Sequence, residues 1–411
     1  MVGTLSDETI EQTVDDEIRA QYVGMEEEAA KNSLLPAILW RNSVDTAKIF
    51  CVNGDYLADI SAVGILDAMM GETYDYDIYP VINAQNLVIA DLPAFVSENE
   101  EEMQKRYSQS AQAVYQEIVW PSLTSIASRT GAKMTCMMTP QFTYTDEEEP
   151  DGENVTYYLK RLKEEHAEAG LSADSREGIL LSEKIKQDQT FWQTYAPSYR
   201  FLSLYADGVK SIGEESALPA EIRTVALGSG ASGQAVGYLN ENVTLQPSTS
   251  SGIRHTFLDD FKVKCMETAL GYSNITLDLY SVTYPEGDED SWEKMSKKIA
   301  ANLGTYWKAY EAFDATTLTE SDVRIRRFLA LDYKQQRAGN VITLSLEHRE
   351  DAAWFLLRLH GEKVTEVAGG SFEEIEDGVY LILAEEDEVS VEVQNGETWQ
   401  YQDGGKCGDG T

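Results

Sequence analysis

The sequence predicts an α/β protein whose strands and helices alternate through most of the chain, followed by a small antiparallel β-domain. From about residue 37 to about residue 325, β-rich apolar runs alternate with amphipathic helical stretches, as in parallel sheets crossed over by helices. Beyond that, "NVITLSLE", "AAWFLLRLHG" and "GVYLILAEEDEVSVEVQ" follow one another across turns such as Ala368-Gly369-Gly370, with no long helix between them. The chain's 411 residues, 42% hydrophobic, provide a sizeable core and enough length for two or three domains. The expected division is an acidic helical lead-in or upstream remnant over 1–35 and an α/β body over 36–325. A β-sandwich-like domain over 326–400, burying Trp354, Phe355 and Leu357, and a flexible tail over 401–411 complete it.

Taken in order, "AKIFCVNGD" reads as the first strand and ends abruptly at Asn53-Gly54-Asp55. "YPVINAQNLVIADLPAF" reads as a loop over the strand ends, and Ser97 to Ile118 as a long helix stopped before "VWP". "GAKMTCMMTPQF" is the next strand, and "ENVTYYLKRLKEEHAEAG" a helix closed by Gly170. A helix "EGILLSEKIKQDQTFWQTYA" precedes two strands, "YRFLSLYAD" and "EIRTVALGS". Then come the helix "LDDFKVKCMETALG", the strand "SNITLDLYSVTYP" and the helix "DSWEKMSKKIAANLGTYWKAYEAF". The acidic clusters "DEEEPDGEN" and "PEGDEDS" read as loops at strand ends.

The formal net charge is −38, from 71 acidic and 33 basic residues. Such a field repels nucleic acid and anionic membranes and favours solubility or cationic ligands. Cys51, Cys136, Cys265 and Cys407 form neither a CxxC pair nor a disulfide framework, and Cys51 and Cys136 sit in apolar strand-like runs, so buried free thiols are expected at those two. The acidic first residues lack the basic-then-apolar pattern of a secretory signal, and no apolar run reaches membrane-spanning length, so no direct membrane insertion is expected. The expectation is an intracellular protein, or a piece of a longer parent that would place it outside the cytoplasm.

Carboxyl ends of parallel strands are where chemistry gathers. They offer Asn53, Asp55 and Asp59; Thr139, Gln141 and Asp146; Ser229; and Asp278, Ser281 and Thr283. The stretch "HAEAGLS" adds His166, Glu168 and Ser172, and the loop over this face adds Asn83, Gln85 and Asn86. Amides, hydroxyls and carboxylates beside Tyr56, Tyr79, Trp120, Tyr144 and Tyr284 resemble a sugar-binding rim, which needs donors, acceptors and aromatic surface together. The alternative is that these tyrosines are plain core and surface. Four histidines without HxxH, HxxxH or HExxH argue against a locally assembled zinc site. His348 and His360 read as turn residues, while His255, near Asp259 and Asp260, is the best of the four for a ligand. "LGSGASGQ" matches GxGxxG but lacks the Gly-Lys-Ser/Thr ending and opens no clear helix, a weak nucleotide signal.

The order "FCVNGDY", "YPVINAQN", "WPSL…GAKMTCMMTPQF", "EAGLS" and "TLTESDVRIRRFL" resembles the polysaccharide deacetylase-like barrel over residues 36 to 330, in particular an uncharacterised bacterial branch found beside exopolysaccharide genes. The resemblance implies a deacetylase-like distorted (β/α) barrel with a small C-terminal antiparallel β-domain. Active members end a strand in two aspartates, where this chain has Asn53, Gly54 and a displaced Asp55, and carry two metal-binding imidazoles, where it has Ser172 and Arg176. No metal or other cofactor is therefore expected. Three readings stand: a degenerate barrel that binds glycan or scaffolds polysaccharide-synthesis proteins; a metal-independent hydrolase; or a residual deacetylase using oxygen ligands. The hydrolase reading makes Asp55, Glu168 and Asp278 catalytic, with Asn53, Tyr56, Asn83, Gln85, Asn86, Gln141, Ser172, Ser281 and Thr283 facing a polysaccharide or oligosaccharide.

Overall fold

A hairpin of β1 (Leu39–Val44) and β2 (Ala47–Val52) opens the described chain as a two-stranded antiparallel sheet of its own. The computed structural model describes residues 39–44, 47–92, 94–144, 150–176, 179–208, 212, 218–228 and 235–395. The lead-in over 1–35, Asp146, Ser229, Cys407 and the tail lie outside the described residues. The described residues fall into two units, one holding those up to Met69 with Ile82–Leu329, the other holding Met70–Val81 with those from Ala330 onward.

"AKIFCV" is thus a strand, as expected, but not a strand of the main sheet. Its side chains are exposed or half-buried, whereas a barrel strand is covered on both faces. The first strand of the main sheet is β4 (Ala84–Ala90), every residue of which is buried. It lies in the stretch expected to be a loop, because Asn83, Gln85 and Asn86 broke the apolar run. Just before it, β3 (Tyr76–Val81) belongs to the second unit.

From β4 the sheet runs in parallel through β5 (Met134–Met138), β6 (Glu168–Ser172), β7 (Ser203–Ala206) and β8 (Thr224–Leu227). A short β9 (Gly237–Tyr238) pairs antiparallel with β10 (Thr244–Pro247), which itself lies parallel to β8. Three residues on, β11 (Ser250–Ser251) pairs with β12 (Tyr272–Asp278), and β12 pairs with β4. Residues 244–251 therefore bridge β8 and β12. Ser248 N donates to Leu227 O at 2.9 Å and Thr249 N to Asn274 O at 2.8 Å. The sheet closes on itself as β4, β5, β6, β7, β8, the 244–251 segment and β12, a parallel barrel in the α/β class.

Alternation along the strands sorts two environments. Leu87 and Ile89 pack outward with Leu123, Ile126, Trp292 and Ile299, while Val88, Ala90, Met137, Tyr205, Ala226 and Leu318 form a separate cluster inside. The helix expected over residues 153–170 ends at Glu164, and "EAGLS" is β6. Gly170 is not a helix stop. A Cβ there would collide with the Met137 sulfur and the Ser203 hydroxyl of the flanking strands.

The N-terminal end of the barrel is stoppered. The two-residue β13 (Ala315–Thr316) pairs with Gln85 and Asn86, and the helix Leu318–Ala330 follows. Asn86 Nδ2 donates to Gln246 Oε1 (3.0 Å) and Ser321 Oγ (3.1 Å), Gln246 Nε2 to Leu318 O (2.9 Å), and Thr244 Oγ1 to Asp322 Oδ1 (2.6 Å). Among the described residues this network fills the N-terminal end and leaves the C-terminal end free to hold a site, the end that carries chemistry in such barrels.

The second unit contains two four-stranded antiparallel sheets. One joins β14 (Asp332–Ala338), β15 (Val341–Glu347), β20 (Glu388–Asn395) and β17 (Glu362–Ala368). The other joins β18 (Gly370–Glu376), β19 (Val379–Ala384), β16 (Ala353–Leu359) and β3. Ile342, Leu344, Phe355, Leu357, Ile382, Val389 and Val391 share one core between them, and Trp354 is only half-buried. Among the described residues no helix is long and apolar enough to cross a membrane.

Candidate active site

Four strand ends each deliver an aspartate to the open end of the barrel: Asp91 after β4, Asp174 after β6, Asp207 after β7 and Asp278 at the end of β12. Period-2 alternation aims three of them inward, since Ser172 and Asp174, Tyr205 and Asp207, and Thr276 and Asp278 share one face of their strands. Asp91 follows inward-facing Ala90 and would point outward in a regular strand. Its backbone instead takes φ 60°, a left-handed conformation that aspartate tolerates better than most residues.

Asp91 is 1% exposed, and neither carboxyl oxygen makes a well-formed hydrogen bond to a described group. Burial, and then the charges of Asp174 and Asp278, hold its proton affinity well above the ordinary range, while Ser172 and Lys184 pull the other way. Asp174 is half-buried, and its N–H donates to Ser172 Oγ at 3.1 Å. Burial first, then Asp278 and Asp207, push its carboxyl up to about 7 against Lys184 and a hydrogen bond with Asp91. Asp278 is also raised, by burial and then by Asp207, while the Tyr280 N–H at 2.9 Å and the charge of Arg254 favour its ionised form. Protein surrounds the Asp278 carboxylate on several sides, yet the residue remains exposed to solvent, so desolvation weighs less on it than on Asp91.

A buried cation stands behind the ring. Lys184, on the helix Leu181–Tyr195, is fully buried and directs Nζ to Asp188 Oδ2 (2.7 Å), Ser172 O (2.9 Å) and Thr139 Oγ1 (3.2 Å). Four residues apart on that helix, Lys184 and Asp188 share a face, and Tyr144 OH donates to the other Asp188 oxygen at 2.7 Å. To one side rises an aromatic wall. Tyr280 stacks on Tyr284 at 5.1 Å, Phe142 meets both edge-on, and the Arg176 guanidinium lies 4.3 Å over the Tyr284 ring. Glu98 ties that wall down by accepting from Phe142 N (3.0 Å), Thr143 N (2.9 Å) and Tyr284 OH (2.8 Å).

Of the three residues read as catalytic from sequence, the structure brings only Asp278 to this ring. Asp55 lies in an exposed turn after β2, where its carbonyl accepts from Ala58 N. The strand-end aspartate sought there stands instead at Asp91. Glu168 begins β6 and so lies at the opposite, stoppered end, accepting from Ser203 Oγ (2.5 Å), Thr319 Oγ1 (2.7 Å) and Thr319 N (2.9 Å). Asn53 is exposed, and Tyr56 packs edge-on against Phe261. Asn83 binds Asp314, Gln85 binds Glu267 and Asn86 belongs to the stopper. Ser172 and Gln141 are at the open end. Ser281 contacts Met295 and Thr283 contacts Tyr115, both turned toward the helices behind it. Asp91, Asp174, Asp207 and Lys184 escaped sequence reasoning. The repeated pattern of a polar inward residue followed two places later by aspartate was the signal for Asp174, Asp207 and Asp278.

The donors at the open end do not fit an imidazole-held zinc. His255 takes a 2.6 Å hydrogen bond with Ser250 and stacks on Tyr306, and Asp259 is spent capping the helix Phe257–Leu270 through Thr256. His166 precedes β6 at the stoppered end, and His348 and His360 belong to the second unit. Among the described residues no three His, Cys, Asp or Glu side chains are arranged to hold a metal ion.

A family profile described as "Uncharacterised protein conserved in bacteria (DUF2194)" matches residues 14–177. No curated protein matches the chain. Similar solved structures include a candidate polysaccharide deacetylase from Mycobacterium smegmatis, at 9% identity and a TM-score of 0.34 over 59% of this chain and 90% of that one. A candidate glycoside hydrolase/deacetylase from Parabacteroides distasonis aligns at 10% identity and a TM-score of 0.35 over 68% and 82%. The endo-β1,6-glucanase BT3312 aligns at 9% and 0.31 over 82% and 89%.

Proposed function

We propose that this chain is a carbohydrate-active hydrolase that cleaves glycosidic bonds with the aspartates at the open end of its barrel. The observation that supports this most strongly is the convergence of strand-end aspartates at the open end, with Asp174 half-buried and Asp278 exposed and held by the Tyr280 N–H at 2.9 Å. Burial raises the proton affinity of both, and the Tyr280 N–H and Arg254 oppose that rise at Asp278. Two carboxyls with different environments are the requirement of glycoside hydrolysis, one to give a proton and one to act as an anion. Asp174 protonates the departing glycosidic oxygen as the bond to the anomeric carbon breaks. Asp278 attacks that carbon or deprotonates the water that does. Where Asp278 attacks, water then displaces it from the anomeric carbon and gives its proton to ionised Asp174; where Asp278 deprotonates the water, Asp278 holds that proton, and exchange with solvent restores both carboxyls. Asp91, buried and raised in part by the charge of Asp174, adds a second carboxyl beside the acid. The half-buried rings of Tyr280 and Tyr284, backed by buried Phe142, offer surface for a sugar ring.

The partner is then an oligosaccharide or polysaccharide. Release of new reducing ends from an oligosaccharide panel tests the reading, with Asp174→Asn and Asp278→Asn beside the wild type. Loss of about a hundredfold or more in each variant is expected. Binding without cleavage by the wild type would return the chain to the glycan-holding reading, and full activity in Asp174→Asn would remove the acid from this account.

A further inference from the structure

We propose that the protein holds a second ligand site, separate from the aspartate ring, for a small organic anion that carries one carboxylate or phosphate on an apolar body. A cavity of about 780 Å³ is lined by the helix Glu153–Glu164, by Glu320 in the first turn of the helix Leu318–Ala330, and by residues standing before three barrel strands. Those residues are Lys133 before β5, His166 and Ala167 before β6, and Tyr199 before β7, so the cavity lies at the stoppered end, opposite the aspartates. Its volume falls within the range of small-molecule sites, about 300–1,000 Å³. The lining is basic in an acidic chain. The chain carries 71 acidic against 33 basic residues, yet here Lys133, Lys160, Lys163 and His166 meet one lining carboxylate, Glu320.

Glu320 is already taken, by Lys133 Nζ and by Thr317 N, each at 2.9 Å. Lys160 has Glu164 only at 3.9 Å, and that carboxylate bonds Arg161 at 2.9 Å. Among the described residues Lys163 forms no ion pair. Two ammonium groups on the lining are thus weakly paired or unpaired. The carbonyl end of the helix Glu153–Glu164 favours lysines in its last turn, but Lys133 and His166 come from outside that helix. His166 takes φ 53°, where glycine would make the turn at less cost, and adds an imidazole to the lining. Half-buried Leu159, Ala167 and Tyr199 supply the apolar surface between these groups. Tyr199 OH is spent on the Ala169 backbone, accepting from N at 2.9 Å and donating to O at 3.2 Å, which leaves its ring to a ligand. An apolar body gains by leaving water on that surface, while one anionic group answers the lysines. A long polyanion would run out of the cavity into the repulsive field of a chain of net charge −38, whereas a small anion lies inside it.

Calorimetry of the full chain with octanoate, octyl phosphate, octanol, octylammonium and inorganic phosphate tests the site. The proteins compared are the wild type, a variant carrying both Lys160→Gln and Lys163→Gln, and Asp278→Asn. Octanoate or octyl phosphate is expected to bind about tenfold or more tighter than octanol and than inorganic phosphate, with a margin over octanol that shrinks as salt rises. Which of the two binds better assigns the head group as carboxylate or phosphate. The double variant should lose about tenfold in affinity for that anion and keep its affinity for octanol. Asp278→Asn should bind the anion as the wild type does. Both lysines are exposed, so circular dichroism should show the double variant folded, and Lys163→Gln alone, with a loss of about threefold, repeats the test if it is not. No binding of either octyl anion, equal binding of octanol, a preference for octylammonium or for inorganic phosphate, or binding that Asp278→Asn abolishes overturns the proposal. None of these results bears on glycoside cleavage by the ring.

Discussion

Replacing Asp174 by asparagine should stabilise the protein while disabling it, and the stabilisation should depend on pH in a fixed direction. An aspartate in the unfolded chain gives up its proton near 3.8, whereas folded Asp174 keeps it until about 7. Between those values the folded state binds more protons than the unfolded one, so stability falls as pH rises, and the contribution of this carboxyl has gone above about 7. At about 1.4 kcal/mol per pH unit over roughly three units, the upper figure is about 4 kcal/mol. Asparagine keeps the shape and carries no charge to bury. Urea unfolding at pH 8 should therefore show Asp174→Asn more stable than the wild type by about 2–4 kcal/mol, and at pH 3 by almost nothing. The wild-type rate should in turn fall as pH rises through about 7, because the acid form of Asp174 disappears. Equal stability of the two proteins at pH 8, or a variant that is less stable there, would refute the burial argument for this carboxyl.

Other substitutions separate the site from its scaffold. Glu168→Ala should cost about 2–4 kcal/mol in urea unfolding, since Thr319 N, Thr319 Oγ1 and Ser203 Oγ lose their acceptor, yet leave kcat of the folded protein unchanged. Lys184→Met strands Asp188 in the core and should cost about 3–5 kcal/mol by the same measurement. Gly228→Ala crowds Tyr205 and Asp207 and should lower glycan affinity measured by calorimetry, with a stability loss of about 1–3 kcal/mol. Asp55→Asn, in an exposed turn, should change neither turnover nor melting temperature measurably.

The α/β class, the antiparallel C-terminal strands and the strands β5, β7, β8 and β12 were legible because their apolar runs are continuous or flanked by clear helices. Three barrel strands were not. β4 carries Gln85 and Asn86, whose polarity suits contacts with Glu267 and the stopper but hides the strand. β6 follows the helix Glu153–Glu164 so closely that "EAGLS" reads as its last turn. The 244–251 segment, "TLQPSTSS", has little apolar character because it faces the polar stopper and shares its pairing between two neighbours. Losing β4 displaced the site, because the barrel's first strand end was sought at Asp55 instead of Asp91. Losing β6 hid the register that puts Glu168 at one end of the barrel and Asp174 at the other. Asp278 was found because its strand was found.

Digestion of oligosaccharides in heavy-oxygen water, with a chelator present and the products weighed by mass spectrometry, tests the carboxylate mechanism most directly. The account predicts shorter chains from the wild type, each carrying one heavy oxygen at its new reducing end, and none from Asp174→Asn or Asp278→Asn. Chains of unchanged length that have lost acetyl groups, or the same fragments from the wild type and both variants, would contradict it.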